Sequence, residues 1–152
     1  MATTSPVLRL YERTTRLPLG HRVFSRLFSL KAPYFASVRP LFVEVRPDYV
    51  ELVVRKRRRV LNHIGTVHVI AICNGLEAAM GALAEVSIPP HKRWIPKGME
   101  VSYTAKATSD ITCVAERPTT RSGPATTRTC LSACVASAMT ARSWSRASSG
   151  CG

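Results

Sequence analysis

Acidic residues are scarce in this chain, and none follows Glu116. Nine Asp and Glu stand against 22 Lys and Arg in 152 residues, a formal net charge of +13. So basic a balance invites nucleic acid, but residues 1–116 hold 17 of the cations with all nine acids, and the last 36 residues add five Arg with none. The charge is partly a property of the tail. Aromatics are also sparse, at 7%. The densest cationic run, Arg55 to Arg59, has only Tyr49 nearby to stack on a base, so a basic nucleic-acid-binding module ranks third and no specific nucleic acid is expected. Five cysteines give an odd count without a repeating framework, against a disulfide-stapled secreted module. Cys130 and Cys134 have no matching His or Cys pair nearby, so no metal is assigned. No apolar run approaches the roughly 20 residues that span a bilayer, and no secretory signal opens the chain. The expectation is a cytoplasmic protein without a membrane span.

Hydrophobic residues make up 45% of the chain, enough for one real core. Ser5 and Pro6 start a helix that Pro18 and Gly20 interrupt. A second amphipathic stretch, His21 to Leu30, turns Val23, Phe24, Leu27, Phe28 and Leu30 toward a core until Pro33 stops it. Their arginine-rich character also suits a membrane surface or an organellar presequence, but packing helices with solvated arginines are the commoner case. Leu41, Val43 and Val45, then Val50, Leu52 and Val54, alternate on either side of Pro47 and Asp48 as two antiparallel strands. Residues 67–84 are apolar almost all round, the mark of a buried helix. Met99, Val101, Tyr103 and Ala105, then Ile111, Cys113 and Ala115, predict two more strands. Trp94 lines a pocket or, as the more usual fate, plugs a sheet edge.

Asn62, Gly65, Thr66 and His68 stand just before the apolar segment, and Glu77 lies inside it. A tight turn ending in Thr66 and feeding a helix leaves the backbone N–H groups near Val67 to Ile70 free. Such an end favours negative charge. A thioester carbonyl becomes an oxyanion during acyl transfer, and fixed N–H donors at that oxygen are commonly the largest catalytic contribution. Glu77 is the candidate base, since a carboxylate inside a buried helix is costly and marks a site. Facing solvent or capping a neighbouring strand is its plainer alternative. His68 is expected to fix the turn, with His63 a weaker candidate, and neither is the general base. From Val69 to Glu77 the helix rises roughly 12 Å, so Glu77 cannot reach a carbonyl at its own helix start. A second chain must supply it, which predicts a homodimer as the minimum functional unit, or a higher oligomer.

These residues resemble the hotdog-fold acyl-CoA thioesterases, in particular their phenylacetate-type branch. There an Asn is followed three on by Gly, six on by His, usually by two glycines, and fifteen on by an acid. Asn62, Gly65, His68 and Glu77 fall at those offsets, while Val69 and Ile70 replace the glycine pair. The match covers roughly residues 39–116. It implies an α+β hotdog fold, an antiparallel sheet wrapped around a central helix, with N-terminal helices and a disordered tail. It also implies that Asn62 and the Val69 N–H polarise the carbonyl while Glu77 of the partner subunit activates water or attacks directly. Gly65 and Thr66 would shape the substrate turn, and Arg57, Arg58 and Arg59 would grip coenzyme A phosphates, although a solvated strand end is the plainer reading of that run. No cofactor is implied; the coenzyme A thioester is the substrate. Branched Val69 and Ile70 narrow the approach to the backbone, which favours a noncatalytic acyl-CoA-binding or lipid-binding hotdog protein as the alternative.

The reading divides the chain into an N-terminal helical segment (1–38), a hotdog core (39–116) and a low-complexity tail (117–152). In the tail 13 of 36 residues are Ser or Thr, so no strand is predicted, only poor order and at most a short helix through Leu131, Val135 and Met139. Hotdog relatives usually carry one or two further strands here. A shifted reading frame near Glu116 would account for the break, because G/C-rich back-translation from Gly123, read two bases along, can restore strand alternation.

Overall fold

The computed structural model of the chain describes residues 5–89, 93–96, 98–103, 105–117, 125–130 and 138–141. Pro47 and Asp48 close a two-residue hairpin between β1 (Leu41–Arg46) and β2 (Tyr49–Val54), with Arg46 opposite Tyr49. Pro47 presets the first turn position, and Asp48 takes the left-handed second one at φ 65°, which Asp tolerates better than most residues. The chain then enters the long helix α3 (Val69–Ser87) and returns as β3 (Ile111–Glu116), antiparallel to β2. β4 (Ala125–Cys130) and β5 (Ala138–Ala141) complete a five-stranded antiparallel sheet in the order β1-β2-β3-β4-β5. α3 packs against β1, β2, β3 and β4. This is the expected α+β hotdog arrangement, a sheet curved over a central helix.

Among the described residues α3 is the one helix long and apolar enough to cross a bilayer. It serves instead as the core: Leu76, Ala78, Ala79 and Ala82 are fully buried. Small residues let it approach the sheet. A Cβ at Gly75 would lie 2.7 Å from Val54 Cγ2 and 2.9 Å from Cys113 Sγ, so only glycine fits there without movement. Trp94, half-buried, covers α3 at Gly81, where the sequence left a pocket lining or a sheet-edge plug.

The N-terminal helices α1 (Pro6–Thr14) and α2 (Gly20–Lys31) form as expected, and Ser5 caps α1 by accepting from the Val7 N–H. Phe24 meets Tyr11 and Phe42 edge-on at 5.0 and 5.3 Å, contacts worth ~0.5–1.5 kcal/mol each beyond burial. The two helices also blunt the outer edge of β1. The Tyr11 hydroxyl donates to Val43 O at 2.8 Å, and the Phe42 N–H donates to Ser25 Oγ at 2.9 Å, so the edge strand offers fewer groups to a wandering strand. The register slips between Phe42 and Glu44. This bulge leaves Val43 40% exposed while Phe42 and Val45 are buried, where simple alternation put Val43 with Val45.

Two further expectations are corrected. Described residues 98–103 and 105 form no strand; Tyr103 is 66% exposed and Met99 39%, so the alternation there buries no face. Conversely β4 and β5 lie beyond Glu116, where the sequence predicted no strand, and Met139 pairs with Thr127 in the sheet instead of lying on a helix. Backbone pairing to β3 supplies the order that sparse apolar residues did not advertise. Leu131 and Val135 lie outside the described residues.

Candidate active site

Asn62 ties the turn that leads into α3. Its Oδ1 accepts from the Ile64 and Thr66 N–H groups, each at 3.1 Å, and its Nδ2 donates to Thr66 Oγ1 at 2.7 Å. The backbone closes the same loop, with Asn62 N–H donating to Thr66 O at 2.9 Å. Gly65 supplies the left-handed residue, at φ 77°. The turn is then anchored outward: the Val67 N–H donates to Ala107 O and the His68 N–H to Val60 O, at 2.9 and 2.7 Å.

His68 caps α3, and its Nδ1 accepts from the Ile70 N–H at 3.1 Å. The proton of the neutral ring therefore sits on Nε2. The Ala71 and Ile72 N–H groups donate to His68 O. Between these satisfied neighbours the Val69 N–H has no hydrogen-bond partner among the described residues. It is the orphan donor that a helix start presents to a ligand.

A cavity of about 300 Å³ opens at this point, lined by Asn62, His63, Thr66, His68 and Val69 on one side and Tyr103, Lys106 and Ala107 on the other. The size suits a small ligand or one arm of a larger one. Three donors border it: the Val69 N–H, the second Asn62 amide proton and His68 Nε2. Among its described lining residues none is acidic, and the bordering donors are those that could bond a carbonyl oxygen.

Glu77 lies elsewhere. It is half-buried on a stripe of α3 with Cys73 and Ile70, the last 53% exposed, and this stripe is not fully covered within one chain. Gly65 shapes the turn without lining the cavity, and Arg57, Arg58 and Arg59 do not line it either. Arg58 and Arg59 enter a short 3₁₀ turn and are exposed. Arg57 reaches Ser37 O at 3.4 Å; burial, then repulsion from Arg39 and Arg59, lowers the pKa of its guanidinium. Ile70 points away from the cavity, so of the two branched residues only Val69 narrows it. The wall formed by Tyr103, Lys106 and Ala107 was missed, because that segment read as a strand and only Lys106 offered a chemical signal.

A long helix cradled by an antiparallel sheet, with its N-terminus open to a cavity, defines a hotdog-fold protein. The chain belongs to the family described as domain of unknown function DUF4442, whose profile matches residues 20–139. A crystal structure from a genomics project is similar at 40% identity and a TM-score of 0.74, over 88% of this chain and 93% of that one. A Pseudomonas aeruginosa protein described as a probable thioesterase is 20% identical with a TM-score of 0.67, over 81% and 92%. Thioesterase superfamily member 2 from Mus musculus is 11% identical with a TM-score of 0.60, over 81% and 94%. The last two likenesses speak to the fold alone. No curated protein matches the sequence.

Proposed function

We propose that this protein is a homodimeric thioesterase that hydrolyses acyl-CoA-type thioesters. The observation that carries the reading is the unpartnered Val69 N–H opening on a cavity with no acid among its described lining residues. The thioester oxygen accepts from this N–H and from the free Asn62 amide proton, which together stabilise the charge that develops as the carbonyl is attacked. His68 fixes the helix start and keeps the donors in place. Glu77 comes from the second subunit, either taking a proton from water or adding to the carbonyl itself. Symmetry makes two such sites per dimer. Thr66 lines the mouth and Gly65 shapes the turn behind it, and Arg58 and Arg59, exposed outside the cavity, would meet coenzyme A phosphates, with Arg57 turned toward Ser37. No cofactor enters this scheme. The burial of α3 fits a soluble protein, and the cytoplasm is the compartment proposed.

Thiol release measured across a panel of acyl-CoA substrates tests the reading. Turnover by the unaltered chain, falling at least ~100-fold in kcat with Glu77→Ala, is the expected result; equal rates for the two would remove hydrolysis. The side chain of Val69, at the cavity where the resembling family has glycine, favours one other reading, a noncatalytic acyl-CoA or lipid binder. Retention of acyl-CoA without thiol release would select it. Salt-sensitive RNA retention with no acyl-CoA affinity would point to the basic surface instead.

A further inference from the structure

A second and larger cavity shares no residue with the one at Asn62. It is a groove of about 760 Å³ between α2, the Pro33–Ser37 turn and the start of β1, within the size range of small-molecule sites. Leu30, Pro33 and Leu41 give it apolar walls, and Arg22, Arg26, Arg39 and Arg55 stand around it. None of the four arginines makes an ion pair among the described residues, where the pairs are Arg46–Glu44 and Arg117–Asp48. Nor does the local sequence offer them an acid, since residues 13–43 contain six Arg or Lys and no Asp or Glu. Four uncompensated guanidinium groups beside an apolar hollow form an anion-attracting field over a greasy surface.

The groove also holds an unused polar atom. Ser25 is fully engaged, its hydroxyl donating to His21 O at 2.6 Å and accepting from the Phe42 N–H. One turn on, Ser29 lines the groove at 8% exposure, and its hydroxyl has no partner among the described residues. The hydroxyl is open to the groove, where a ligand oxygen can bond it in place of water.

We propose that this groove binds an anionic amphiphile, with a single acyl chain against Leu30, Pro33 and Leu41 and its carboxylate or phosphate held by the arginines and the Ser29 hydroxyl. The site is separate from the thioester cavity and does not depend on the hydrolytic reading. A nucleic acid fits less well, because no aromatic ring is among the described residues that line the groove.

Calorimetric titration of the full chain with oleate, lysophosphatidate and neutral monoolein, each below its micellar concentration, tests the assignment. One or both anions should bind at one per chain, and monoolein at least ~10-fold more weakly, since charge-assisted contacts are the strong ones. The preferred anion identifies the headgroup. R26E/R39E should weaken binding by a further ~10-fold or more while leaving thioester hydrolysis within about twofold, a change small on the scale of a lost catalytic contact. Leu30→Glu, at a position already 75% exposed, is a second variant that folds readily and should also repel the ligand. Oleate binding unchanged in these variants, or monoolein binding as tightly, would each overturn the proposal. So would the absence of all monomeric lipid binding, even if the protein sedimented with anionic vesicles.

Discussion

Asn62 makes three side-chain hydrogen bonds within its own turn, all of them formed before any ligand arrives. Asn62→Ala should therefore cost about 1–3 kcal/mol in chemical denaturation as well as turnover. Asn62→Asp keeps both acceptor bonds and loses only the amide donor, so it should stay closer to the unaltered protein in stability while kcat falls on the order of 100-fold; undiminished turnover would remove the amide from the reaction. Tyr49 gives a pH signature. Its hydroxyl donates to Glu51 Oε2 at 2.8 Å, and burial followed by the hydrogen bond and charge of Glu51 pushes its pKa up to about 12. The folded value lies above the free tyrosine value of about 10, so Tyr49 contributes stability that is complete below that pH and is lost as pH climbs through about 12. Ultraviolet titration should show a late phenolate transition that disappears in Tyr49→Phe. The turn residues were legible in the sequence because their geometry is local, a matter of offsets along one stretch of chain. Ala107 was not, because it meets Val67 only after the chain has passed along α3 and back. The Arg57 to Arg59 run was legible as charge but not as direction: Arg57 turns toward Ser37.

The helix α3 was legible for the same reason that it folds, since an all-round apolar segment needs a sheet around it. It begins at Val69 and not at the apolar Val67, because His68 caps it and Val67 is held by Ala107. The bulge in β1 was hidden, since alternation from Leu41 to Val45 also describes a regular strand and the register is decided by Tyr11 and Ser25 packing from other elements. β4 was hidden by composition, because a Thr-rich segment can hold a place in a sheet without large apolar side chains. Gly75→Ala tests the close approach of α3: despite alanine's helix preference of about 1 kcal/mol, the new Cβ against Val54 and Cys113 should produce a net loss of ~1–3 kcal/mol in thermal or chemical unfolding. Gly81→Ala, which meets only the Trp94 ring at 3.3 Å, should cost less. Two thiols report on the other face. Cys113 is fully buried, and burial pushes its thiol pKa upward, so it should resist maleimide at neutral pH. Cys73 is half-buried on the stripe with Ile70 and Glu77, and burial raises its thiol less completely. Peptide mass spectrometry should find Cys73 labelling slowed as protein concentration rises and a partner covers the stripe; a rate independent of concentration would place the interface elsewhere.

At the scale of the whole molecule, which carries a net charge of +13, two distinct features stand apart. Arginines surround the groove on α2, while the cavity at the start of α3 is bordered by hydrogen-bond donors, with no acid among its described lining residues. On the proposed reading a single chain carries the charge-stabilising half of a hydrolytic site, with the complementary carboxylate, Glu77, too far along α3 to serve its own cavity. The most direct test of this account pairs two damaged chains. Asn62→Asp and Glu77→Ala subunits, co-expressed with different tags and purified as the doubly tagged heterodimer, would hold one intact site and one doubly altered site. Each parent homodimer should be nearly inactive in thiol release, and the heterodimer should recover about half the turnover of the unaltered dimer. A heterodimer as inactive as its parents, or full activity in a species of one-chain mass, would contradict the shared site.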